Sequence, residues 1–215
     1  MDFPKISAGY LFGEAIVCYN TYIDMNSRGS SRTAKRPGME KTMDALECML
    51  TRRSYRDYKA DSVPKELLDR IIEAGVYAPT GMGRQAPIIV AVTNKEERDR
   101  LSAANAKVMG SDGDPFYGAP VVLIVLAEKN TCPTYVYDGS LVMGNLLNAV
   151  HAVGLGGCWI HRAREVFEQP EWKEWLRAKG LEGEYEGIGN CVIGYPNGEP
   201  RPAKPRKANY VTYVE

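Results

Sequence analysis

The densest chemistry in this sequence lies at Thr51–Tyr58, TRRSYRDY, where Arg52, Arg53 and Arg56 fall within five residues around Ser54. A guanidinium forks two hydrogen bonds onto a phosphate or carboxylate, and a serine hydroxyl donates a third. The cluster therefore suits a bound dianion, although an isolated Arg-Arg-Ser reads first as a solvated basic patch. A second basic group, Lys204, Arg206 and Lys207, sits among Pro200, Pro202 and Pro205. Prolines reduce the entropy lost when a segment is pinned, so this tail can bring another cationic pair to the same anion.

Two glycine-bearing stretches add to these. In Ala78–Pro87, APTGMGRQAP, two prolines bracket residues of low steric demand, letting backbone amides approach a flat ligand. An ordinary connection between elements explains it equally. It lacks the lysine of a phosphate-binding loop and the spacing of a dinucleotide fingerprint. In Gly154–Trp159, GLGGCW, the first glycine reads as a helix C-cap. Gly156 and Gly157 leave room for a ring system on the start of a strand. His151 reads as a packed helix residue, Cys158 and Cys191 as small buried apolar groups, and Trp172 and Trp175 as the apolar face of a helix. No nucleophile–histidine–acid arrangement is legible.

The elements that must hold these groups alternate from Met43 onward. Apolar residues at 43, 46, 49 and 50 predict a short amphipathic helix ending near Thr51. Pro64, with Leu67, Leu68, Ile71 and Ile72, predicts a second that stops before Pro79. Strands follow at Pro87–Asn94 and Ala119–Glu128, with a polar-faced helix between them. A long helix runs through GSLVMGNLLNAVHAVGLG. A third strand starts at GCWI, one or two helices span EVFEQPEWKEWLRAKG, and a fourth strand covers GIGNCVIGYP. The final NYVTYV reads as extended. Four strands interleaved with helices predict a three-layer α/β or α+β sandwich. Residues 1–42, with the Ser/Gly/basic run Met25–Gly38, read as a flexible or disordered extension to a domain of 43–215.

Bulk properties narrow the function further. The 215-residue chain balances 27 Lys+Arg against 27 Asp+Glu, which gives no global attraction to nucleic acid or anionic membrane. No apolar run reaches the roughly 18 residues of a membrane span. Five cysteines, odd in number and without CxxC, suggest reduced thiols in a cytoplasmic setting, and two histidines are too few for a histidine-rich metal centre.

Taken in order, four of these features resemble the FMN-dependent nitroreductase family. RRSYRDY is similar to its Arg-x-Ser-x-basic signature, and APTGMGRQAP to its Ala-Pro-Ser-x-x-Asn-x-Gln-Pro-Trp loop. GNLLNAVHAVGLGGCWI resembles its central Asn-Leu-Leu helix and Gly-Leu-Gly turn, and KPRK its late basic pair. The resemblance spans Met43 to the C-terminus. It implies an obligate homodimer of three-layer α+β subunits, with FMN at the subunit interface and NADH or NADPH as electron donor. By position, Arg52, Ser54 and Arg56 would hold the phosphate and ribityl side, with Arg53 nearby and Lys204 and Arg206 completing the clamp. Pro79, Thr80, Gly81 and Gly83 would come from the partner subunit, and NYVTYV would extend onto the partner's sheet. The amides of Gly156 and Gly157 would face the flavin ring. The family's loop asparagine is Gly83 here and its Pro-Trp is Ala86-Pro87, so Arg84 or Gln85 stands to replace the missing contact. Phe116 and Tyr117 are candidate mobile aromatics over the open face of the flavin. The implied activity is ping-pong reduction of nitroaromatics, quinones or similar electron-poor acceptors. Alternatives on the same fold are a specialised flavin reaction, such as dehalogenation or enoate reduction, and a non-catalytic flavin-binding or redox-sensing role.

Overall fold

A computed structural model describes residues 43–215; the extension expected over 1–42 lies outside them. α1 (Ala45–Thr51) starts where the Asp44 carboxylate accepts the Leu46 and Glu47 amides, and α2 (Lys65–Val76) starts at Pro64. β1 (Pro87–Val92), α3 (Lys95–Met109) and β2 (Val121–Glu128) follow. Then come α4 (Tyr135–Ala152), β3 (Gly156–Ile160), α5 (Ala163–Phe167), α6 (Pro170–Arg177) and β4 (Tyr185–Gly194). EVFEQPEWKEWLRAKG thus forms two helices, and Pro170 opens the second because a first-turn residue needs no amide hydrogen. The tail 201–215 is exposed and carries no strand, so the extended NYVTYV has no sheet partner among the described residues.

The strands pair antiparallel throughout in the order β1-β2-β4-β3. β2 is apolar at almost every position because both its faces are covered. Val122, Ile124 and Leu126 pack with α3, α5 and α6 residues such as Leu101, Phe167 and Trp172. Val121, Leu123 and Val125 pack with Leu68 and Ile71 of α2 and Met143, Leu146 and Val150 of α4. This period-two division between two cores makes three layers, as the strand and helix pattern predicts. No helix among the described residues is long and apolar enough to cross a membrane.

α1 departs from expectation. It buries Cys48, while Leu46, Met49 and Leu50 are 68%, 56% and 74% exposed. Its apolar spacing marks a face that the described residues leave uncovered.

A bulge fixes the middle of the sheet. Val125 pairs with Gly189 but Leu126 with Gly187, leaving Ile188 as the extra residue. Ile188 projects onto Gly139 of α4, where a Cβ would stand 2.5 Å from its Cγ1. Gly187 meets the start of α5, and a Cβ there would lie 2.2 Å from the Ala163 carbonyl carbon and 2.6 Å from the Arg164 nitrogen. Backbone cannot swing aside as a side chain can. Gly187→Ala is therefore expected to cost about 3 kcal/mol and lower the thermal midpoint by about 10 °C. A melting curve that superimposes on the wild type would refute this packing.

Candidate functional site

The arginine segment is held as an irregular strand beside β3. Ser54 bridges to Gly157 in parallel fashion, and the Tyr55 amide donates to the Gly157 carbonyl at 3.2 Å. Further on, Tyr58 bridges to Pro196, the Lys59 amide donates to Tyr195, and Asn197 bonds to Asp57 through both its backbone and its side chain. Buried Tyr58 donates its hydroxyl to the Tyr55 carbonyl at 3.0 Å. The fold thereby joins two motifs far apart in sequence, RRSYR and GLGGCW.

Within that segment the three arginines are not equivalent. Arg53 folds back on its own chain, donating to the carbonyls of Leu50 at 2.9 Å and Arg52 at 2.7 Å. It caps the C-terminus of α1, where carbonyls lack helical partners. The guanidinium groups of Arg52 and Arg56 make no hydrogen bond or ion pair among the described residues, the Arg52 backbone being bonded to Cys48 and Arg53. Two uncompensated guanidinium groups beside the Ser54 hydroxyl fit a phosphate monoester.

α4 ends against the same segment. Gly154, with φ of +79°, is the left-handed residue after α4, and the Leu155 amide returns to the Val150 carbonyl at 3.0 Å. His151 Nε2 lies 2.9 Å from Thr51 Oγ1, whose hydroxyl donates to the Glu47 carbonyl at 2.6 Å. Since that hydroxyl has one hydrogen, Nε2 is the protonated nitrogen and donates to Thr51. Burial, and then the charges of Arg52 and Arg53, push this imidazole below its usual range.

Gly156 and Gly157 do not leave an open berth for a ring. A Cβ on Gly156 would meet the Tyr55 ring at 3.0 Å and Pro196 at 3.1 Å, and one on Gly157 would meet Val150 at 3.0 Å. The space is filled by this chain's own side chains, which pull the arginine segment and α4 onto β3. The glycines are both buried and act through close packing, with the Gly157 carbonyl taken by the Tyr55 amide.

The other glycine stretch lies elsewhere. Thr80–Gln85 forms a single 3₁₀ turn over Gly81–Gly83, with Met82, Gly83 and Gln85 at φ of +54°, +66° and +53°. The Gly81 amide donates to Asp138 Oδ1 at 3.1 Å, in the first turn of α4, and Arg84 donates to the Thr131 carbonyl. Pro79, Gly83 and Gln85 are exposed, and the Gln85 side chain has no partner among the described residues. Arg84 is thus partly committed, whereas the Gln85 side chain is not. Asp138 and His151 are separated by about 20 Å along α4 at 1.5 Å of rise per residue. Within one subunit, the loop and the arginine segment sit at opposite ends of this helix.

The late basic pair is not gathered in. Lys204 and Arg206 are exposed and have no polar partner among the described residues. Arg201 takes the near position instead. It lines a cleft of about 240 Å³ together with Ser54, Arg56, Asp57, Asn197 and Glu199. Sequence reasoning passed over it because it precedes the KPRK run, and only the Tyr58–Pro196 pairing brings it to Arg56.

Phe116 is not a mobile aromatic. It is fully buried, with the Arg98 guanidinium 5.6 Å from its ring centre. Tyr117 is exposed and strained, at φ of +56°. Both are fixed by Asp114, which accepts from Arg98, Ser102 and the amides of Phe116 and Gly118. Burial works against ionisation of Asp114, but these donors outweigh it and hold its carboxyl below the ordinary value of 3.8. A depressed folded-state value means the stabilisation is present above the unfolded-state value and lost as pH falls through the folded one. Asp114→Asn should therefore be less stable than the wild type at neutral pH, with a shallower loss of stability on acidification below about pH 4. Parallel urea titrations across pH check this, and equal slopes would refute it.

Apolar side chains stand exposed on α1, α2 and α4. Besides Leu46 and Leu50, they include Tyr137 and Leu141 of α4 at 72% and 48%, and Val76 and Tyr77 after α2 at 61% and 80%.

Comparison with known proteins places this architecture. A family model described as the nitroreductase family matches residues 49–195. A Methanothermobacter thermautotrophicus protein, named as a candidate NADH dehydrogenase/NAD(P)H nitroreductase, is 30% identical over 146 residues, 62% of this chain and 74% of its own. The candidate NAD(P)H nitroreductase YdjA of Escherichia coli K12 is 31% identical over 170 residues, 72% of this chain and 89% of its own. A solved FMN-bound nitroreductase from Bacteroides fragilis is similar with a TM-score of 0.71 at 29% identity, covering 81% of this chain and 100% of that one. One from Desulfitobacterium hafniense, also with FMN, gives 0.70 at 25% identity, covering 80% and 100%. The matched span, 49–195, runs from the end of α1 through the arginine segment and α4 to β4: this chain belongs to the nitroreductase family.

Proposed function

We propose that this protein is an FMN-dependent oxidoreductase that uses NAD(P)H to reduce nitroaromatics, quinones or similar electron-poor acceptors, and that it works as a homodimer. The observation that carries the reading is the pairing of Ser54 and Tyr55 with Gly157, which holds on one segment beside β3 two guanidinium groups, Arg52 and Arg56, that form no ion pair among the described residues. Those two guanidinium groups and the Ser54 hydroxyl would bind the phosphate, with Arg201 at the edge of the cleft. Lys204 and Arg206 would join them once the tail is ordered. The relatives' names, NAD(P)H nitroreductase and FMN reductase, support the same chemistry.

Two subunits resolve the separation along α4. The loop at Pro79, Thr80, Gly81, Gly83 and Gln85 would reach the arginine segment of a partner, across a face carrying Leu50, Tyr137 and Leu141. FMN, when bound, supplies the hydride chemistry, and the protein's part is to bind it, orient it and exclude water. Backbone amides at the β3 edge can hydrogen-bond a ring, and Gln85 can add a side-chain contact. No acid or base of this chain is needed at the reacting atoms.

Purified protein should be yellow, and NADH or NADPH should bleach it in the absence of oxygen, with colour returning on addition of a quinone. Apo-protein that cannot be reconstituted with FMN would overturn the reading. Flavin that binds but is not bleached by either nicotinamide would replace it with a sensor role.

A further inference from the structure

A buried carboxylate underlies the glycine loop. Asp138 is only 3% exposed, and its Oδ1 accepts the Gly81 amide at 3.1 Å. Its Oδ2 is buried and has no hydrogen-bond partner among the described residues. A half-satisfied carboxylate in a core opposes folding, since burial without full hydrogen bonding is unfavourable. Its place in the first turn of α4 offsets part of that through the helix dipole. The loop it holds is costly too. Met82 and Gln85 are non-glycine residues in the left-handed region, a conformation that persists only where the surroundings impose it.

The surroundings do so from one side. Gly81 is pressed against the turn before α4, where a Cβ would stand 2.1 Å from Thr134 Oγ1 and 2.8 Å from Cys132 Sγ. Cys132 Sγ lies 3.7 Å from the Gly81 carbonyl and 3.0 Å from Thr134 Oγ1. The Gln85 amide donates to Thr80 Oγ1 at 3.1 Å, and the amides of Gly83 and Arg84 close on Thr80 and Gly81. Every loop amide from Gly83 to Gln85 is thus satisfied inside the loop, and the Gly81 amide on Asp138 is the bond that ties the turn to α4. Opposite this seat, Met82, Gly83, Arg84 and Gln85 face outward.

We propose that Asp138 is a positioning residue: its carboxylate seats Gly81 on α4 and so fixes the strained Met82–Gln85 turn that presents itself to the partner subunit's flavin. This rests on the reading given under Proposed function. The side chain's part is to supply a buried acceptor at Oδ1, without which the Gly81 amide has no partner in α4. Removing it should leave the sheet and both cores in place while freeing the loop.

Hydrogen–deuterium exchange of the full-length protein, read at the 79–86 segment, tests the seat without any cofactor. Asp138→Ala should speed exchange there about tenfold while sheet amides keep wild-type protection, and should raise the FMN dissociation constant about tenfold. Asp138→Asn keeps an acceptor at Oδ1 and should restore both to within about threefold of wild type. Gly81→Ala, which unseats the turn by contact with Thr134 without touching the carboxylate, should reproduce the Asp138→Ala pattern and serves if that variant fails to fold. Unchanged loop exchange in Asp138→Ala or Gly81→Ala would overturn the proposal, as would faster loop exchange with unaltered FMN affinity. If the wild type itself takes up no FMN, the functional reading falls, and exchange alone then decides whether Asp138 seats the loop.

Discussion

Arg52→Ala is expected to strip the protein of most of its FMN. The guanidinium has no hydrogen-bond partner among the described residues, so its fork is available to a phosphate. Loss of one charge-assisted partner is typically worth about 1.5–3 kcal/mol, a rise of about 10- to 150-fold in the dissociation constant. Arg53→Ala should behave differently, because Arg53 is occupied in capping the carbonyls of Leu50 and Arg52. It should loosen α1 and lower the melting point with a smaller change in flavin affinity. Arg52→Lys keeps the charge but loses the fork and should fall between wild type and alanine. His151 provides a reading that needs no flavin. The Arg52 charge helps to depress its imidazole, so Arg52→Ala should raise the His151 titration midpoint in an NMR experiment. Burial is the larger cause, so the midpoint should remain below that of a free histidine. Equal FMN affinity in Arg52→Ala and wild type would remove Arg52 from the site.

The contrast between Arg52 and Arg53 shows where sequence reading reaches its limit. Short apolar runs located all four strands and helical spacing the helices around them, because a strand such as β2 that fills two cores is apolar on both faces. The meeting of RRSYR with GLGGCW was also legible, through the family resemblance. The division of labour among adjacent arginines was not, since it depends on which carbonyls α1 leaves open at its end. Phe116 and Tyr117 show the same limit: one is core and the other surface, decided by the four donors that converge on Asp114. At Gly156 the requirement for glycine was legible, but the occupant was not. Tyr55, two positions past Arg53, fills the space that a ring ligand seemed to need. Asp138 offered only the signal of an acid in a helix's first turn, which suits a dipole as well as an anchor.

A charge placed on the exposed apolar side of α1 or α4 is expected to abolish dimerisation and flavin binding together. Leu50 and Leu141 are 74% and 48% exposed in the subunit, so Leu50→Glu and Leu141→Glu remove little intramolecular packing. In a twofold dimer each substitution occurs twice, and an uncompensated buried charge costs about 3–5 kcal/mol per site. The combined penalty of about 6–10 kcal/mol exceeds a factor of ten thousand in the dimer dissociation constant. The glycine loop and the arginine segment lie at opposite ends of α4, so a lone subunit presents either half of the proposed site but not both to one flavin. Sedimentation should therefore show a monomer with native circular dichroism, and absorbance near the flavin band should be lost in the same fractions. A variant that stays dimeric with full flavin would place the interface on another face. A monomer that keeps its flavin would show that one subunit closes the site unaided, and the loop at Gly81 would lose its proposed partner.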